Sequence, residues 1–235
     1  MARLKLVKHS IIMISFLGSY PNCASNREEK FKRAVDSFIL NTHKEKELII
    51  VSDGCEKTNF IYHKLYSGYE NIKLLIAPKQ EKGYPGALRT LGLFLAKGDT
   101  VSYLDSDDYI APKHIENLLI NFNSNWVYYD NLLPDLKREF LNMKEVKDES
   151  INSNLKPYRW THLPSRIIRG NLRTANIAHI LEAREKCFWK NWNGLEGDSE
   201  DWDFVCQLQK KYGNPVKLDC TGYYLCHFPV ANIDI

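Results

Sequence analysis

The sequence lacks several features that mark specialised classes of protein. No stretch approaches the ~18 consecutive apolar residues of a membrane-spanning helix, so we expect any membrane association to be peripheral. None of the six cysteines forms a Cys-x-x-Cys pair, which argues against a zinc ribbon and a thioredoxin-type site. Neither sign of charge dominates, because 32 Lys and Arg stand against 29 Asp and Glu, and we therefore expect no nucleic-acid partner.

A secretory leader is not expected either. Basic residues before the apolar run 11–17 imitate a signal peptide, but the run is short and residues 20–23 lack the small-residue cleavage pattern. We interpret the run as a buried first strand. Scattered cysteines fit a reducing compartment, so we expect a cytoplasmic protein, peripheral at most to the inner face of the cytoplasmic membrane.

What remains is the composition of an ordinary globular domain. The chain has 235 residues, of which 44% are apolar and 26% are charged. A single α/β domain commonly reaches about 200–250 residues, whereas two cores would each have only half of this chain. Residues 1–235 are therefore predicted to form one domain.

Strand-like and helix-like segments alternate through the first half of the chain. The predicted strands are 11–16, 48–51, 72–76 and 100–104, and the predicted helices are 27–40, 59–66 and 85–96. Short buried strands joined by crossover helices predict an α/β fold with a mostly parallel central sheet and helices on both faces. Ligands of such sheets bind beyond the carboxyl ends of the strands, so chemistry is expected there.

The second half is less regular. Residues 131–156 are rich in Asn, Lys, Asp, Glu and Ser, and we expect a mobile insertion. Two short strands are predicted within 166–180, a helix over 200–212 that ends at Gly213, and a closing strand pair within 216–227.

An acidic segment follows the predicted strand 100–104. Alternation along an extended chain places Asp105 and Asp107 on one side, where two oxygen ligands can hold Mn²⁺ or Mg²⁺ against a diphosphate. The alternative is a solvated acidic turn in which Asp108 caps the next helix. An EF-hand loop is excluded because Ile110 stands where that loop requires glycine. A haloacid-dehalogenase phosphatase is also excluded, because it carries this pattern on its first strand and here the pattern follows the fourth predicted strand.

With four other segments in register, the chain resembles glycosyltransferase family 2, the inverting nucleotide-sugar enzymes of the GT-A fold. The similar segments are Ile11 to Tyr20, Glu47 to Gly54, Gly86 to Gly92, Leu104 to Asp108 and Gly197 to Asp203. Three positions depart from the family pattern: Pro21 displaces an Asn, Thr90 replaces an Asn, and Val205 stands where an Arg is often found.

The resemblance implies a role for each of several residues. It places Tyr20, Asp53, Arg89, Asp105, Ser106 and Asp107 at the nucleotide-sugar, Asp105, Asp107 and His227 at a metal ion, Asp201 as catalytic base, and Glu200 and Trp202 near the acceptor. It also implies that residues 1–112 form the nucleotide-binding half, and that 113–235 form the half that carries the base and binds the acceptor.

Each of these roles has a structural alternative. Asp53 can accept a hydrogen bond from the imide N–H of uracil, or it can belong to an ordinary Asp-Gly turn. Arg89 suits a carbonyl oxygen or a carboxylate, or a salt bridge on a helix surface. Asp201 can serve as the base, or it can complement the dipole of a helix N-terminus. His227 can bind the metal or can be structural, and zinc binding with Cys220 and Cys226 has weak support.

The expected function is therefore the inverting transfer of a sugar, most simply from a UDP-sugar, to a carbohydrate or lipid-linked acceptor with Mn²⁺ or Mg²⁺ as cofactor. Synthesis of bacterial polysaccharide or glycoconjugate is the expected setting. A sugar-1-phosphate nucleotidyltransferase and a catalytically silent sugar-binding protein of the same fold are the alternatives. The first of these needs a glycine-rich triphosphate loop, which residues 18–21 do not supply.

Overall fold

The fold consists of two sheets with helices packed on the larger one. The computed structural model describes residues 7–20, 23, 26–79, 85–134, 145–146, 160–169, 171–190, 200–219 and 221–226. The strands are β1 His9–Ser15, β2 Lys46–Asp53, β3 Ile72–Ala77, β4 Thr100–Tyr103, β5 Tyr109–Ile110, β6 Trp126–Tyr129, β7 Asn131–Pro134, β8 Glu145–Val146, β9 Trp160–Leu163, β10 Ile177–Ile180, β11 Val216–Leu218 and β12 Tyr223–Tyr224. The α-helices are α1 Arg27–Leu40, α2 Glu56–Leu65, α3 Pro85–Leu95, α4 His114–Ile120 and α5 Glu200–Tyr212.

The larger sheet has seven strands in the order β11-β6-β10-β4-β1-β2-β3. Only β10 runs against the others, because it pairs antiparallel with both β4 and β6 while the remaining described pairs are parallel. The chain order reverses direction at β1, which lies between β2 and β4. Parallel strands place the ends of β1, β2 and β4 at one edge, and a crevice opens at such a switch point. This arrangement confirms the predicted mixed α/β class.

The central strands β1 and β2 carry uninterrupted apolar runs because both faces of the sheet are covered. Ile11 and Met13 of β1 face the core that contains Phe31 and Phe38 of α1. Ile12, between them, faces the core on the other side of the sheet, which includes side chains of α3. Since successive side chains of a strand point to opposite faces, one apolar run serves both cores.

Helix α3 approaches the sheet closely at a glycine. A Cβ atom at Gly92 would lie 2.5 Å from Cγ2 of Ile12, so only glycine fits there without a shift. This contact brings the first turn of α3 beside the ends of β1 and β2.

The smaller sheet has the order β5-β12-β7-β9-β8. The acidic segment between β4 and β5 therefore links the two sheets. Strand β12 pairs antiparallel with β5 and parallel with β7, so the last described residues of the chain lie beside this linker.

Three predictions for the second half are corrected. The described residues of 166–180 contain one strand rather than two, because a hydrogen bond from the backbone of Arg166 to the Asn171 side chain holds a local turn. The predicted closing pair within 216–227 does not form: β11 joins the large sheet and β12 the small one. The predicted insertion 131–156 includes β7 and β8, and its other residues lie outside the described ones. No described helix is long and apolar enough to cross a membrane.

Candidate active site

A cavity of about 480 Å³ lies at the carboxyl ends of β1, β2 and β4. Five predicted nucleotide-sugar residues line it: Tyr20, Asp53, Asp105, Ser106 and Asp107. They come from the loop after β1, the end of β2 and the loop after β4. The switch-point geometry of the sheet thus brings together residues that are up to 87 positions apart in the chain.

Asp53 is the last residue of β2 and lies opposite Ala77, the last residue of β3. Its carboxylate is buried, and Oδ2 lies 3.5 Å from Nζ of Lys79. Gly54 follows with a φ of +56°, a conformation that favours glycine, and turns the chain into α2. The Asp-Gly turn that was expected as the structural alternative is therefore present. The same turn places the Asp53 carboxylate at the cavity.

Seven residues that line the cavity were not predicted as site residues from the sequence: Ile14, Ser15, Phe16, Arg27, Lys79, Pro85 and Leu88. Arg27 donates a 2.6 Å hydrogen bond to the carbonyl of Gly18, and its guanidinium carbon lies 4.5 Å from the centre of the Tyr20 ring. The position of Arg27 at the start of the first predicted helix could have revealed it, because a helix that follows β1 begins at the ligand edge of the sheet.

The acidic loop after β4 separates its carboxylates by environment. Asp105 and Asp107 line the cavity, whereas Asp108 is 1% exposed. Asp108 accepts hydrogen bonds from the backbone N–H of Cys226 at 2.6 Å and from the Tyr223 hydroxyl at 3.1 Å. The proposed alternative, in which Asp108 caps the next helix, is wrong: Lys113 precedes α4 without a side-chain cap, and Asp108 binds the end of β12 instead.

The backbone of the same loop makes further hydrogen bonds to β12 and α1. The backbone N–H of Asp105 donates to the Tyr223 hydroxyl at 3.0 Å, and Arg33 of α1 donates to the Asp107 carbonyl at 2.6 Å. Lys30, also on α1, donates to the carbonyl of Cys226 at 2.6 Å. The loop backbone is therefore fixed by α1 and β12 while two of its carboxylates face the cavity.

Burial and crowding raise the pKa values of Asp105 and Asp108. Desolvation raises the pKa of Asp108 well above its ordinary value, and Asp107 and Asp105 add to the effect. Desolvation together with the charges of Asp107, Asp201 and Glu200 raises the pKa of Asp105 to about 6, against the opposing effect of Arg89. The Asp105 side chain is 40% exposed toward the cavity, so solvent weakens this crowding.

Arg89 of α3 joins the acidic loop to the start of α5. Its guanidinium forms an ion pair with Glu200 and lies 3.9 Å from Asp201 Oδ1 and 4.0 Å from Asp105 Oδ1. The ring of Trp189 packs 5.0 Å from its Cζ. Arg89 is thus a buried arginine among three carboxylates rather than a surface salt bridge, and it is not one of the residues found to line the cavity.

The two acidic residues at the start of α5 differ in exposure, as Asp107 and Asp108 of the loop do. Glu200 is 12% exposed, its carboxylate is paired with Arg89, and burial raises its pKa. Asp201 is 25% exposed and accepts a hydrogen bond from the Thr174 hydroxyl. Trp202 packs against the core on the α3 side of the sheet. Asp201 is therefore the more accessible of the two carboxylates.

The described residues include no group of three or more His, Cys, Asp or Glu side chains arranged to hold a metal ion. His227, the third predicted ligand, and Cys220 lie outside the described residues. Asp105 and Asp107 are nevertheless carboxylates at a cavity wall. Such a pair fits Mg²⁺ or Mn²⁺, which commonly bind one or two carboxylates and complete their shell with water and substrate phosphate.

Comparison with known proteins places the chain in a family. The family model described as Glycosyl transferase family 2 matches residues 23–173, which is more than half of the chain. The chain therefore belongs to glycosyl transferase family 2, as its motifs predicted. An uncharacterized glycosyltransferase of Methanocaldococcus jannaschii is 28% identical over 89% of this chain and 69% of its own. Chondroitin synthase of Pasteurella multocida is 27% identical over 86% of this chain and 19% of its own.

Solved structures agree with the fold. The S. aureus TarS fragment 1–349 in complex with UDP-GlcNAc superposes with a TM-score of 0.63 over 93% of this chain and 58% of that one, at 17% identity. The expected GT-A fold is thereby confirmed. Among eight curated relatives, the chain spans between 13% and 69% of the relative's length.

Proposed function

We propose that this family 2 chain transfers a sugar from a UDP-sugar to a hydroxyl group of a carbohydrate or lipid-linked acceptor, with inversion at the anomeric carbon. One observation carries the proposal: Asp53, at the end of β2, and the Asp105–Asp107 segment, after β4, line the same cavity. The volume of about 480 Å³ is within the usual range for small-molecule sites. A nucleotide has a base at one end and a diphosphate at the other, and the cavity offers a suitable group to each.

The donor would be oriented by its base. Asp53 would accept a hydrogen bond from the imide N–H of uracil, while the aromatic rings of Phe16 and Tyr20 offer stacking surfaces in the same cavity. The complex of TarS with UDP-GlcNAc supports this choice of donor, because that fold is similar over most of this chain.

The opposite end of the cavity would hold the diphosphate. Asp107 and Asp105 are the described residues that would bind Mn²⁺ or Mg²⁺ there, with His227 as a further ligand. The bound cation would neutralise negative charge that develops on the departing diphosphate. The hydrogen bond from Cys226 to Asp108 supports the assignment of His227, since it ties the residue before His227 to the acidic loop.

Asp201 would act as the general base. It would remove the proton of the acceptor hydroxyl while that oxygen attacks the anomeric carbon from the face opposite the diphosphate. The new carbon–oxygen bond replaces the bond to the diphosphate, and UDP leaves with the electron pair. Arg89 supports this arrangement because it lies about 4 Å from both Asp105, at the donor cavity, and Asp201.

One relative supports the proposed class of acceptor. Chondroitin synthase is named for making a polysaccharide, and it is similar to this chain over most of the chain's length. We propose a growing polysaccharide or a lipid-linked sugar as the acceptor, and the cytoplasmic face of a membrane as the setting.

The experiment is a panel of UDP-sugars with Mn²⁺, with UDP release measured in the presence and absence of oligosaccharide acceptors. Acceptor-dependent UDP release with formation of an inverted product is expected for the wild type, and its loss is expected in Asp201→Asn. Pyrophosphate release from UTP and a sugar 1-phosphate would instead identify a nucleotidyltransferase. UDP-sugar binding without either reaction would identify a catalytically silent protein.

A further inference from the structure

The Thr174 hydroxyl contacts the proposed base in a way that the family motifs do not account for. It donates a hydrogen bond to Oδ1 of Asp201, and Thr174 is only 2% exposed. Thr174 lies outside the five segments that resemble the family, and the match to the family model ends at residue 173. A buried hydroxyl from another part of the chain thus holds one oxygen of the Asp201 carboxylate.

The large sheet fixes the position of this hydroxyl. Strand β10 runs antiparallel to β4, with Ala178 opposite Ser102, so β10 begins at the edge where β4 ends. Thr174 opens a short 3₁₀ turn directly before β10. Asn176, the last residue of that turn, donates a 2.9 Å hydrogen bond from its side chain to the carbonyl of Tyr129, which ends β6. The turn is therefore fixed to two strands of the sheet, independently of α5.

A second group reaches the same carboxylate oxygen from another element. Nη1 of Arg89, on α3, lies 3.9 Å from Oδ1 of Asp201, and Arg89 is itself paired with Glu200. Oδ2 of Asp201 takes part in neither contact. Because the sheet and α3 both act on Oδ1, the orientation of the carboxylate is set, and the direction of Oδ2 is set with it.

We propose that Thr174 is a positioning residue, which orients Asp201 so that Oδ2 receives the proton of the acceptor hydroxyl. This inference rests on the proposed function, in which Asp201 is the general base. A base must lie within hydrogen-bond reach of the proton that it removes, and a displacement of about 1 Å can lower the rate roughly 100-fold. The bond from Thr174 commits Oδ1 to the protein and leaves Oδ2 to the acceptor.

The test compares kcat, KM and donor affinity of the full chain for wild type, Thr174→Val and Thr174→Ser, with the UDP-sugar, Mn²⁺ and acceptor that the wild type uses. Valine has nearly the shape of threonine but no hydroxyl. Thr174→Val should therefore lower kcat roughly 10- to 100-fold, while both KM values and the donor affinity measured by calorimetry change less than about twofold. Thr174→Ser keeps the donor and should recover most of the rate.

A double variant separates positioning from general support of the fold. In Asp201→Asn the base is already lost, so adding Thr174→Val should lower the remaining turnover by less than about twofold. A hydroxyl that served only the stability of the fold would give the same fractional loss in both backgrounds.

Thr100→Val is the matched control. Thr100 is also buried, and its hydroxyl lies 2.8 Å from Nδ1 of His9, but it is the first residue of β4, at the end of that strand away from the acidic loop. This variant should lose stability and keep the wild-type kcat. Urea unfolding shows which variants fold, and Thr174→Ala, with the same expected loss of kcat, takes the place of Thr174→Val if the latter does not.

Three results would overturn the role of Thr174: wild-type kcat in a folded variant without the hydroxyl, no recovery in Thr174→Ser, or the full loss repeated in the Asp201→Asn background. Failure of the proposed function looks different. In that case the wild type transfers no sugar or Asp201→Asn keeps full turnover, and the inference falls with the base. Loss of turnover in Asp201→Asn without loss in Thr174→Val would overturn the inference alone.

Discussion

The acidic loop after β4 and the start of α5 each carry two adjacent carboxylates, and each pair divides in the same way. In the loop, Asp107 lines the cavity while Asp108 is buried and bonded to the end of β12. At the helix, Asp201 is the more exposed residue while Glu200 is paired with the buried Arg89. The comparison teaches that one member of each pair is held by contacts within the protein, while the other leaves its carboxylate more exposed.

The largest expected effect concerns the helix pair and separates chemistry from binding. Asp201→Asn keeps the size of the side chain but cannot accept a proton at neutral pH, so transfer should fall by ~10²–10⁴-fold while UDP-sugar affinity persists. Glu200→Gln should lower turnover much less. Turnover and donor affinity measured on the same two variants check this, and full turnover in Asp201→Asn would remove Asp201 as the base.

The base end of the cavity should show the next largest effect. Asp53→Ala removes the proposed acceptor for the uracil N–H, and loss of a hydrogen bond to a charged group costs about 1.5–3 kcal/mol, or roughly 10- to 150-fold in affinity. A UDP titration by calorimetry measures the change. Equal affinity of variant and wild type would show that Asp53 belongs only to its turn.

The buried member of the loop pair should affect stability rather than chemistry. Asp108→Ala leaves the N–H of Cys226 and the hydroxyl of Tyr223 without their acceptor, so the free energy of unfolding should fall by about 2–4 kcal/mol. Asp107→Ala is the matched variant and should change it by less than about 0.5 kcal/mol. Urea unfolding of both variants compares them, and equal losses would erase the distinction between the two neighbours.

A smaller loss of stability is expected at the helix pair. Glu200→Gln removes one charge from a buried ion pair, but Asp201 and Asp105 remain about 4 Å from Arg89 and compensate in part. We expect the free energy of unfolding to fall by about 1–2 kcal/mol, measured again in urea. An unchanged free energy of unfolding would show that the ion pair between Arg89 and Glu200 does not stabilise the fold.

The sequence predicted the first half well because its signals are local. Apolar runs marked β1 to β4, and the spacing of apolar residues marked α1 and α3. In the second half, Gly213 was an equally local signal for the end of α5. Asp105, Asp107 and Asp53 were found because they follow such runs directly. The buried role of Asp108 could not be predicted, since its partner Cys226 lies 118 residues away and the pairing of β5 with β12 brings the two together.

Lys79 and Arg27 were not predicted as cavity residues for a related reason. Neither stands in a recognisable motif, and the cavity wall that includes them forms only when the ends of β1, β2 and β3 meet. The split of β11 and β12 between two sheets was equally hidden, because short strands near the end of the chain do not reveal which edge they will join.

The division of the loop pair is tested most directly by titrating UDP into wild type, Asp107→Ala and Asp108→Ala, each with and without Mn²⁺, by calorimetry at a temperature where all three are folded. The account predicts that Mn²⁺ strengthens UDP binding to wild type and that Asp107→Ala loses this gain while keeping wild-type stability. Asp108→Ala, where folded, should keep most of the gain. An undiminished effect of Mn²⁺ in Asp107→Ala would contradict the account.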